Sequence, residues 1–414
     1  MKNSFQRFIL LIALIYSTYT ISQEIPVYKN GDNVVLIGDS ITHGGLYHAF
    51  LQFFNATQFP NQKVNYFNGG ISGDDGSGTL LRLEKDILIH NPNHAIIMLG
   101  MNDVRAHLFP KDFKKVDDKM LKDRKAVLEK YIANMSAIAS KLNERGVSII
   151  FMTPSIYDQT VKIKGTNNVE RKNDGLVVFA DEIKKLAEKY NSPLVDLNAV
   201  MLKANKQVQK KDKTATIIGV DRTHPGELGH LIMAYELIKT VFPVKYTSRV
   251  EIDVKAKKVI TSYNCEVNLI DGTKEFTVFE NALPFALQEN LAPALGLIKD
   301  RKEYTQEFFL FKNLRAGVYQ LVIDGIEVGT YNSKKLKKGI DLSLNAKTPQ
   351  YKQAQKVYDW CLGYKKTNEK LRTLALMEFR TLRDYLGDDT MESKKAFLEK
   401  KMNLSEGNLG IRMV

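Results

Sequence analysis

A serine, and a histidine with a nearby carboxylate, are the residues of this chain whose types and spacing could do chemistry. Ser40 follows Gly38 and Asp39 at the end of an apolar run, so its hydroxyl would stand at a strand end. Asp221 lies three residues before His224, a spacing that lets a carboxylate hold an imidazole in one tautomer. Because a serine hydroxyl is a weak nucleophile at neutral pH, it needs such a base to take its proton. Simpler interpretations are a helix N-cap for the serine and a surface position for the histidine.

Two further segments carry donors at expected strand ends. Residues 68–74, Asn-Gly-Gly-Ile-Ser-Gly-Asp, contain glycines that let backbone N–H groups approach a ligand. Residues 100–103, Gly-Met-Asn-Asp, contain Asn102, whose side-chain amide could donate to a developing oxyanion. Ordinary turns are the alternative explanation of each segment. Together with Ser40 and His224, in this order along the chain, they predict nucleophilic catalysis.

These residues need a scaffold that brings strand ends together, and the hydrophobic pattern predicts one. From residue 33 to about 245, short runs rich in Val, Ile and Leu alternate with amphipathic stretches. The expected strands lie in the runs 33–40, 63–70, 94–101, 147–155 and 193–198. The expected helices lie in the stretches 46–54, 80–89, 126–146, 177–190 and 226–238. Strands buried on both faces and alternating with helices form a parallel sheet, and its ligands bind at the carboxyl ends of the strands.

Over residues 33–235, about half its length, the chain resembles the GDSL/SGNH family of serine hydrolases. The resemblance rests on the motifs GDSI at 38–41, ISGDD at 71–75, GMND at 100–103 and DRTH at 221–224. Ile41 stands where the family usually has leucine, a change that leaves Ser40 untouched. The resemblance implies a flavodoxin-like, three-layer α/β/α fold and ester hydrolysis through an acyl-serine, with no metal and no cofactor.

The resemblance also implies a role for each matching residue. Ser40 becomes the nucleophile, His224 the general base and Asp221 the residue that orients His224. The oxyanion hole is implied to consist of the backbone N–H groups of Ser40 and Gly73 and the side-chain amide of Asn102. Three such donors would stabilise the negative charge of the tetrahedral intermediate, and the loss of one typically costs ~3 kcal/mol.

Other residues near these motifs have a functional and a structural interpretation that the sequence does not separate. Gly70 is the rival of Gly73 for the glycine position, although the Ser-Gly-Asp context favours Gly73. His43, three residues after the serine, is a candidate substrate-binding residue or a histidine on a helix face. Arg105 is a candidate ligand for an anionic group of the substrate or a partner in a surface salt bridge. The aspartates at 74–75 are expected to organise the glycine loop.

The rest of the chain has a different organisation. Period-two alternation with turn signals over 248–345 predicts a small antiparallel β domain, less regular at 281–305. After Pro349 the pattern is helical. Its large apolar side chains predict packing on another domain: Tyr351, Trp360, Leu376, Met377 and Phe379. We therefore expect a signal peptide at 1–22, a catalytic domain at 24–247, a β-rich accessory domain at 248–345 and a helical region at 346–414.

The N-terminal residues are typical of a secretory signal peptide. Lys2 and Arg7 precede an apolar run at 8–16, which small and polar residues follow. The run is shorter than the ~20 residues of a membrane span, although an uncleaved anchor is the alternative. We expect a secreted or periplasmic protein without a membrane span after cleavage. In such an oxidising compartment Cys265 and Cys361 could form a disulfide or remain separate buried thiols.

Composition and charge limit the class of protein and its partners. The 414 residues are 44% hydrophobic and 26% charged, which disfavours disorder and a multi-span membrane protein. The net charge of +13 would fall to +11 if cleavage removed Lys2 and Arg7, so the basic character belongs to the folded protein. A basic surface favours an anionic partner without choosing one. Dispersed basic residues without a recognised binding motif argue against nucleic acid.

Export, an appended β module and a resemblance to bacterial esterases of plant or algal polysaccharides favour one substrate class. We expect hydrolysis of O-acetyl esters on a polysaccharide or oligosaccharide, with acidic glycans favoured by the charge. A lipase or lysophospholipase and a broad arylesterase are the alternative enzymes. A glycan-binding protein with an inactive hydrolase core is the alternative outside enzymology. The sequence does not indicate which oligomeric state the protein has.

Overall fold

The computed structural model describes residues 28–110, 113–164, 168–242, 246–270, 275–298 and 305–381. The expected signal peptide at 1–22 and residues 382–414 of the expected helical region lie outside the described residues. Within the described residues, no helix combines the length and apolar character needed to cross a bilayer.

A parallel sheet of five strands forms the centre of the first half of the chain. Its strands are β1 (Asn33–Gly38), β2 (Asn65–Gly70), β3 (His94–Met98), β4 (Ser148–Met152) and β5 (Leu194–Val195). They lie in the order β2-β1-β3-β4-β5, and every neighbouring pair is parallel. Alternate residues of β1 face opposite sides: Val34 and Leu36 join one hydrophobic core, whereas Val35 and Ile37 join the other. Both faces are therefore buried, as the continuous apolar runs predict.

Helices cover both faces of this sheet. The helices of this part are α1 (Ser40–Gly44), α2 (Leu46–Gln58), α3 (Gly76–Arg82), α4 (Asp118–Glu144), α5 (Lys172–Lys189), α6 (Leu197–Lys211) and α7 (Glu227–Val241). Residues of α2, α6 and α7 share the core of Val34, whereas α4 and α5 share the core of Val35. The three-layer α/β/α fold expected from the sequence is confirmed. The helix expected at 80–89 is instead α3 followed by a π-helical turn, Leu83–Ile87, and a 3-10 turn, Leu88–His90.

The described part of the second half contains three small sheets. Its strands are β6 (Tyr246–Asp253), β7 (Lys258–Tyr263), β8 (Cys265–Leu269), β9 (Phe276–Glu280), β10 (Gln306–Lys312), β11 (Val318–Ile323), β12 (Ile326–Asn332) and β13 (Ile340–Asp341). β13, β10, β6 and β7 form one sheet in that order, and β8–β9 and β11–β12 form two antiparallel pairs. Antiparallel pairing prevails as expected, but β10 and β6 run parallel. A short helix, α8 (Ser333–Lys338), and a 3-10 helix, Glu289–Gly296, complete this part.

A long C-terminal helix returns to the first half of the chain. α9 (Pro349–Leu376) begins at the N-cap Thr348 with proline in its first turn, and a π-helical turn, Met377–Thr381, extends it. Tyr358 stacks on Phe50 of α2 at a centroid distance of 5.5 Å, so α9 joins the core beside β1. The face of α9 that contains Tyr351 and Tyr358 packs as expected, but the side chains of Trp360 and Met377 are exposed.

The two cysteines are separate thiols. Cys265 lies in β8 and Cys361 in α9, and both are buried and free. Burial raises the pKa of the Cys265 thiol to about 11 and that of the Cys361 thiol to about 12, so neither is a reactive thiolate at neutral pH. The sequence left open a disulfide or two separate buried thiols, and the structure has the two separate thiols.

Candidate active site

The turn between β1 and α1 presents Ser40 at the carboxyl end of a central strand. β1 ends at Gly38, and Ser40 is the first residue of α1. The carboxylate of Asp39 caps this helix by accepting the N–H of Ile41 at 3.0 Å. A side chain at position 38 would collide with the hydroxyl of Thr42, so the turn requires glycine there. The N-cap is Asp39, which leaves the Ser40 hydroxyl available for another role.

His224 reaches that hydroxyl across the top of the sheet. Its Nε2 lies 2.7 Å from Ser40 Oγ, and its Nδ1 lies 2.5 Å from Asp221 Oδ2. Asp221 Oδ1 also accepts the backbone N–H of His224 at 3.0 Å. Burial alone would raise the pKa of Asp221, but the hydrogen bonds from His224 and Thr223 outweigh it and hold that pKa below its usual value. An ionised Asp221 can therefore fix the imidazole tautomer that leaves Nε2 as the acceptor.

Arg222 holds the turn that carries these two residues. It has a positive φ of 64° and a buried side chain. Its Nη1 donates to the backbone oxygens of Asp158 at 3.0 Å and Val161 at 3.1 Å, and its own backbone oxygen accepts the Asp158 N–H at 2.9 Å. Sequence reasoning missed this residue. The only signal was an arginine inside the D-R-T-H motif, and its partners lie about 60 residues earlier in the chain.

The backbone N–H groups of the glycine loop after β2 bear on the choice between Gly70 and Gly73 as oxyanion donor. Gly70 N–H donates to Asn68 Oδ1 at 2.9 Å, which argues against Gly70 as an oxyanion donor. The N–H groups of Ile71, Ser72 and Asp74 donate to Gly38 O, His43 Nδ1 and Ile71 O. In the described part of the chain, Gly73 N–H has no acceptor, and its φ of +76° suits glycine. The hydrogen bonds thus favour Gly73, the residue chosen from the sequence.

Asn102 is tied to the same loop. Its side-chain Nδ2 donates to Asp74 O at 2.8 Å, and the amide keeps a second N–H for another acceptor. Gly100, two residues earlier, has a φ of +129°, and a Cβ there would lie 2.6 Å from the ring of Pro154. The turn after β3 therefore needs glycine to bring Asn102 beside the loop.

The two candidate substrate-binding residues, His43 and Arg105, make intramolecular contacts. His43 is buried, and its Nδ1 accepts the N–H of Ser72 at 3.3 Å. Arg105 Nη2 lies 2.5 Å from Asp75 Oδ2 and remains partly exposed. Contact of either residue with a substrate stays a prediction.

The aspartates of the glycine loop organise it, as expected. Asp75 caps α3 by accepting the N–H of Gly78 at 2.9 Å. Asp74 Oδ2 accepts bonds from Thr79 Oγ1 at 2.9 Å and Arg82 Nε at 2.8 Å. These bonds pin the loop to the first turns of α3.

Two buried carboxyl groups near these loops have perturbed acidity. Burial raises the pKa of Asp39 to about 6 and that of Asp103 to about 7. Asp103 Oδ1 accepts the N–H of Gly76 at 2.8 Å, whereas its buried Oδ2 has no hydrogen-bond partner among the described residues. Sequence reasoning missed these pKa shifts, because the burial of Asp103 depends on contacts with other parts of the chain, such as the start of α3. Among the described residues, no group of three or more His, Cys, Asp or Glu side chains is arranged to hold a metal ion.

The chain has relatives of known class. Residues 36–232 match the model of the GDSL-like lipase/acylhydrolase family. An acetylxylan esterase of Geobacillus stearothermophilus is 25% identical over 227 residues, which are 51% of this chain and 94% of that protein. The solved structure of a gut microbial diltiazem-metabolizing enzyme has a TM-score of 0.81 and 28% identity over 94% of this chain and 88% of that one.

These similarities agree with the geometry of the site, because both indicate ester hydrolysis. The matched residues include Ser40, Gly73, Asn102, Asp221 and His224. The family resemblance suggested by the four motifs is confirmed. Residues 36–232 of this chain match the GDSL-like lipase/acylhydrolase family, and the chain is a carboxylic ester hydrolase.

Proposed function

We propose that this protein is a secreted serine esterase that removes O-acetyl groups from a polysaccharide or oligosaccharide through an acyl-serine intermediate. The observation that carries the mechanism is the pair of contacts at His224: Nε2 lies 2.7 Å from Ser40 Oγ, and Nδ1 lies 2.5 Å from Asp221 Oδ2. This is the relation between nucleophile, base and orienting carboxylate that acyl transfer requires.

In the first step Ser40 Oγ attacks the ester carbonyl carbon while His224 Nε2 takes the hydroxyl proton. The carbonyl π bond breaks, and its electron pair goes to the oxygen. Asp221 stabilises the imidazolium that forms, because its carboxylate already accepts the Nδ1–H. His224 then gives the proton to the leaving alcohol oxygen as the C–O bond breaks, which leaves Ser40 acylated.

The oxyanion of the tetrahedral intermediate lies in a hole formed by three donors. These are the backbone N–H groups of Ser40 and Gly73 and the second N–H of the Asn102 amide. The unpartnered Gly73 N–H supports this role, as does the contact between Asn102 and Asp74 O at 2.8 Å, which holds the amide beside the loop. Fixed donors stabilise developing charge without reorganising during the reaction.

Deacylation repeats the same chemistry with water. His224 takes a proton from water, the hydroxide adds to the acyl carbon, and the same hole stabilises the second oxyanion. When the intermediate collapses, Ser40 recovers its proton from His224 and the carboxylic acid leaves. These steps use only side chains and backbone of this chain.

Three features support a glycan acetyl ester as the substrate. The relative from Geobacillus stearothermophilus acts as an acetylxylan esterase. The catalytic side chains are open to solvent, since His224 is 47% exposed and Asp221 50% exposed, which suits a bulky substrate. The net charge of +13 favours acidic glycans among the acetylated polymers.

An acetate-release assay tests the substrate. We expect the full chain to release acetate from acetylated xylo-oligosaccharides and acetylated acidic polysaccharides faster than it hydrolyses phospholipids or medium-chain esters at equal ester concentration. The Ser40→Ala variant is the control for non-enzymatic release. A preference for phospholipids or medium-chain esters would contradict the proposal and favour a lipase.

Export is tested separately. The basic start and the apolar run at 8–16 support an N-terminal signal peptide. After expression in a bacterial host with a secretion pathway, N-terminal sequencing of the protein from outside the cytoplasm should start near residue 23. Recovery of the uncleaved chain from the cytoplasm would contradict export.

A further inference from the structure

We propose that Arg380, at the end of the C-terminal helix, is a positioning residue that orients and polarises the Gly73 N–H of the oxyanion hole. Arg380 lies outside residues 36–232, which match the family model, so this contact is an addition to the family region. The inference deepens the proposed function, because it rests on Gly73 being an oxyanion donor.

The contact of Arg380 is with the peptide unit that contains the donor. Arg380 Nη1 donates to the backbone oxygen of Ser72. Because a peptide unit is planar, the Ser72 carbonyl and the Gly73 N–H point in fixed, opposite directions. A guanidinium that holds the carbonyl therefore also fixes the direction of the N–H. A charged donor on the carbonyl polarises the same peptide and makes its N–H a stronger donor.

The guanidinium also occupies the space beside the glycine. A Cβ at position 73 would collide with the Arg380 guanidinium. Gly73 already has a left-handed φ of +76°, which other residues adopt at a cost. The close approach of Arg380 and the backbone conformation thus both require glycine at this position.

A second arginine of the same helix anchors α9 against the start of the loop. Arg372 is buried, with Nε donating to Gly70 O at 2.9 Å. Its Nη1 and Nη2 each lie 2.7 Å from an oxygen of Asp86. Burial alone would raise the pKa of Asp86, but hydrogen bonds and charge from Arg372 and Arg82 outweigh it and hold that pKa below its usual value. This bidentate pair fixes the register of α9, so that Arg380, eight residues later, meets Ser72.

The same ionic network extends to the other proposed donor. Arg82 joins Asp86 at 2.5 Å to Asp74 at 2.8 Å, and the backbone oxygen of Asp74 accepts the Asn102 amide at 2.8 Å. The C-terminal helix is thus connected to both sides of the proposed oxyanion hole, to Gly73 through the Ser72–Gly73 peptide unit and to Asn102 through three buried side chains.

The test uses the full chain and a small acetyl ester that the wild type hydrolyses. We expect Arg380→Gln to lower kcat by about tenfold, with KM changed less than about threefold, because the donor is misdirected and less polarised. Arg380→Lys, which keeps the charge and one donor, should retain more activity than Arg380→Gln. Thermal unfolding shows whether each variant is folded. If Arg380→Gln is not folded, the kcat of Arg380→Lys tests the proposal.

A transition-state analogue separates positioning from general structure. A trifluoromethyl ketone forms an anionic hemiketal with the nucleophilic serine, and its oxyanion occupies the hole. Its inhibition constant should rise by the same factor as kcat/KM falls in the Arg380 variants. A structural role would lower thermal stability without this matched change.

A matched control is present in the chain. Arg124 donates to the backbone oxygen of Leu108 at 2.6 Å, the same kind of bond away from the loop. Arg124→Gln should leave kcat and the inhibition constant unchanged. Wild-type kcat and inhibition in folded Arg380 variants would overturn the proposal while leaving the proposed function intact. Ester hydrolysis that survives Ser40→Ala would instead overturn the proposed function.

Discussion

Ser40 Oγ and His224 Nε2 lie 2.7 Å apart, although 184 positions of sequence separate the two residues. The parallel sheet explains this proximity, because β1 delivers Ser40 and the turn before α7 delivers His224 to the same edge. The rest of the proposed mechanism depends on this contact.

The first prediction concerns Asn102. Removing its amide in Asn102→Ala should lower kcat by about 10²–10³-fold with little change in KM, because an oxyanion donor acts mainly in the transition state. Steady-state kinetics on a small acetyl ester measure this. A variant that raises KM alone would show that Asn102 binds the ground state instead.

The second prediction concerns Arg222, which holds the histidine turn. Arg222→Ala removes the donor to two backbone oxygens, those of Asp158 and Val161, so we expect a loss of about 1–3 kcal/mol in the free energy of unfolding. His224 should also lose its fixed position, which slows reaction of Ser40 with a fluorophosphonate. Urea unfolding and the labelling rate provide the two measurements.

The control for Arg222 is an arginine on the surface. Arg145 pairs with Glu84 at 3.0 Å, and both side chains are more than half exposed. Since exposed ion pairs contribute little, Arg145→Ala should change neither the unfolding free energy nor the labelling rate appreciably. Equal labelling rates in the wild type and in folded Arg222→Ala would show that the arginine does not position His224.

The third prediction is a pH dependence of stability from Asp103. Burial raises its pKa from 3.8 to about 7 in the folded protein, so the folded state binds a proton that the unfolded state releases between these values. The stabilisation from this proton is complete below pH 3.8 and is lost as the pH rises through about 7. In Asp103→Asn, which resembles the protonated acid, this loss should be absent.

Urea unfolding between pH 4 and 8 measures the effect. Relative to the wild type, Asp103→Asn should gain stability as the pH rises, by on the order of a few kcal/mol across the range. Asp359→Asn, at an exposed position of α9, is the matched control and should follow the wild type. A stability difference between Asp103→Asn and the wild type that does not vary with pH would refute a buried, protonated Asp103.

Much of the central sheet could be predicted because its signals are local. Continuous apolar runs marked all five parallel strands, and the four motifs, three of them at strand ends and the fourth in the turn before α7, marked the candidate site. α6 was missed although its sequence has the local signals: Asp196 caps it, and Met201 and Ala204 lie on its buried face. The strand pattern before it ended at 198, inside the helix, which concealed the helix start.

The rest of the site could not be predicted because its contacts join distant positions. Arg372 contacts Gly70 across 302 residues and Asp86 across 286, and Arg380 contacts Ser72 across 308. No hydrophobic periodicity or residue spacing in the sequence indicates such long-range contacts. The exposure of Trp360 has the same cause, since a helical pattern predicts an apolar face without showing where on α9 that face meets its neighbour.

The nucleophilic role of Ser40 is the central claim, and one measurement tests it most directly. The kcat of the purified Ser40→Ala variant on a small acetyl ester is compared with that of the wild type, with circular dichroism and thermal unfolding as the check on folding. We expect a fall of about 10⁴-fold or more with unchanged unfolding, because the variant lacks the atom that becomes acylated. A folded Ser40→Ala protein that hydrolyses the ester at the wild-type rate would contradict the account.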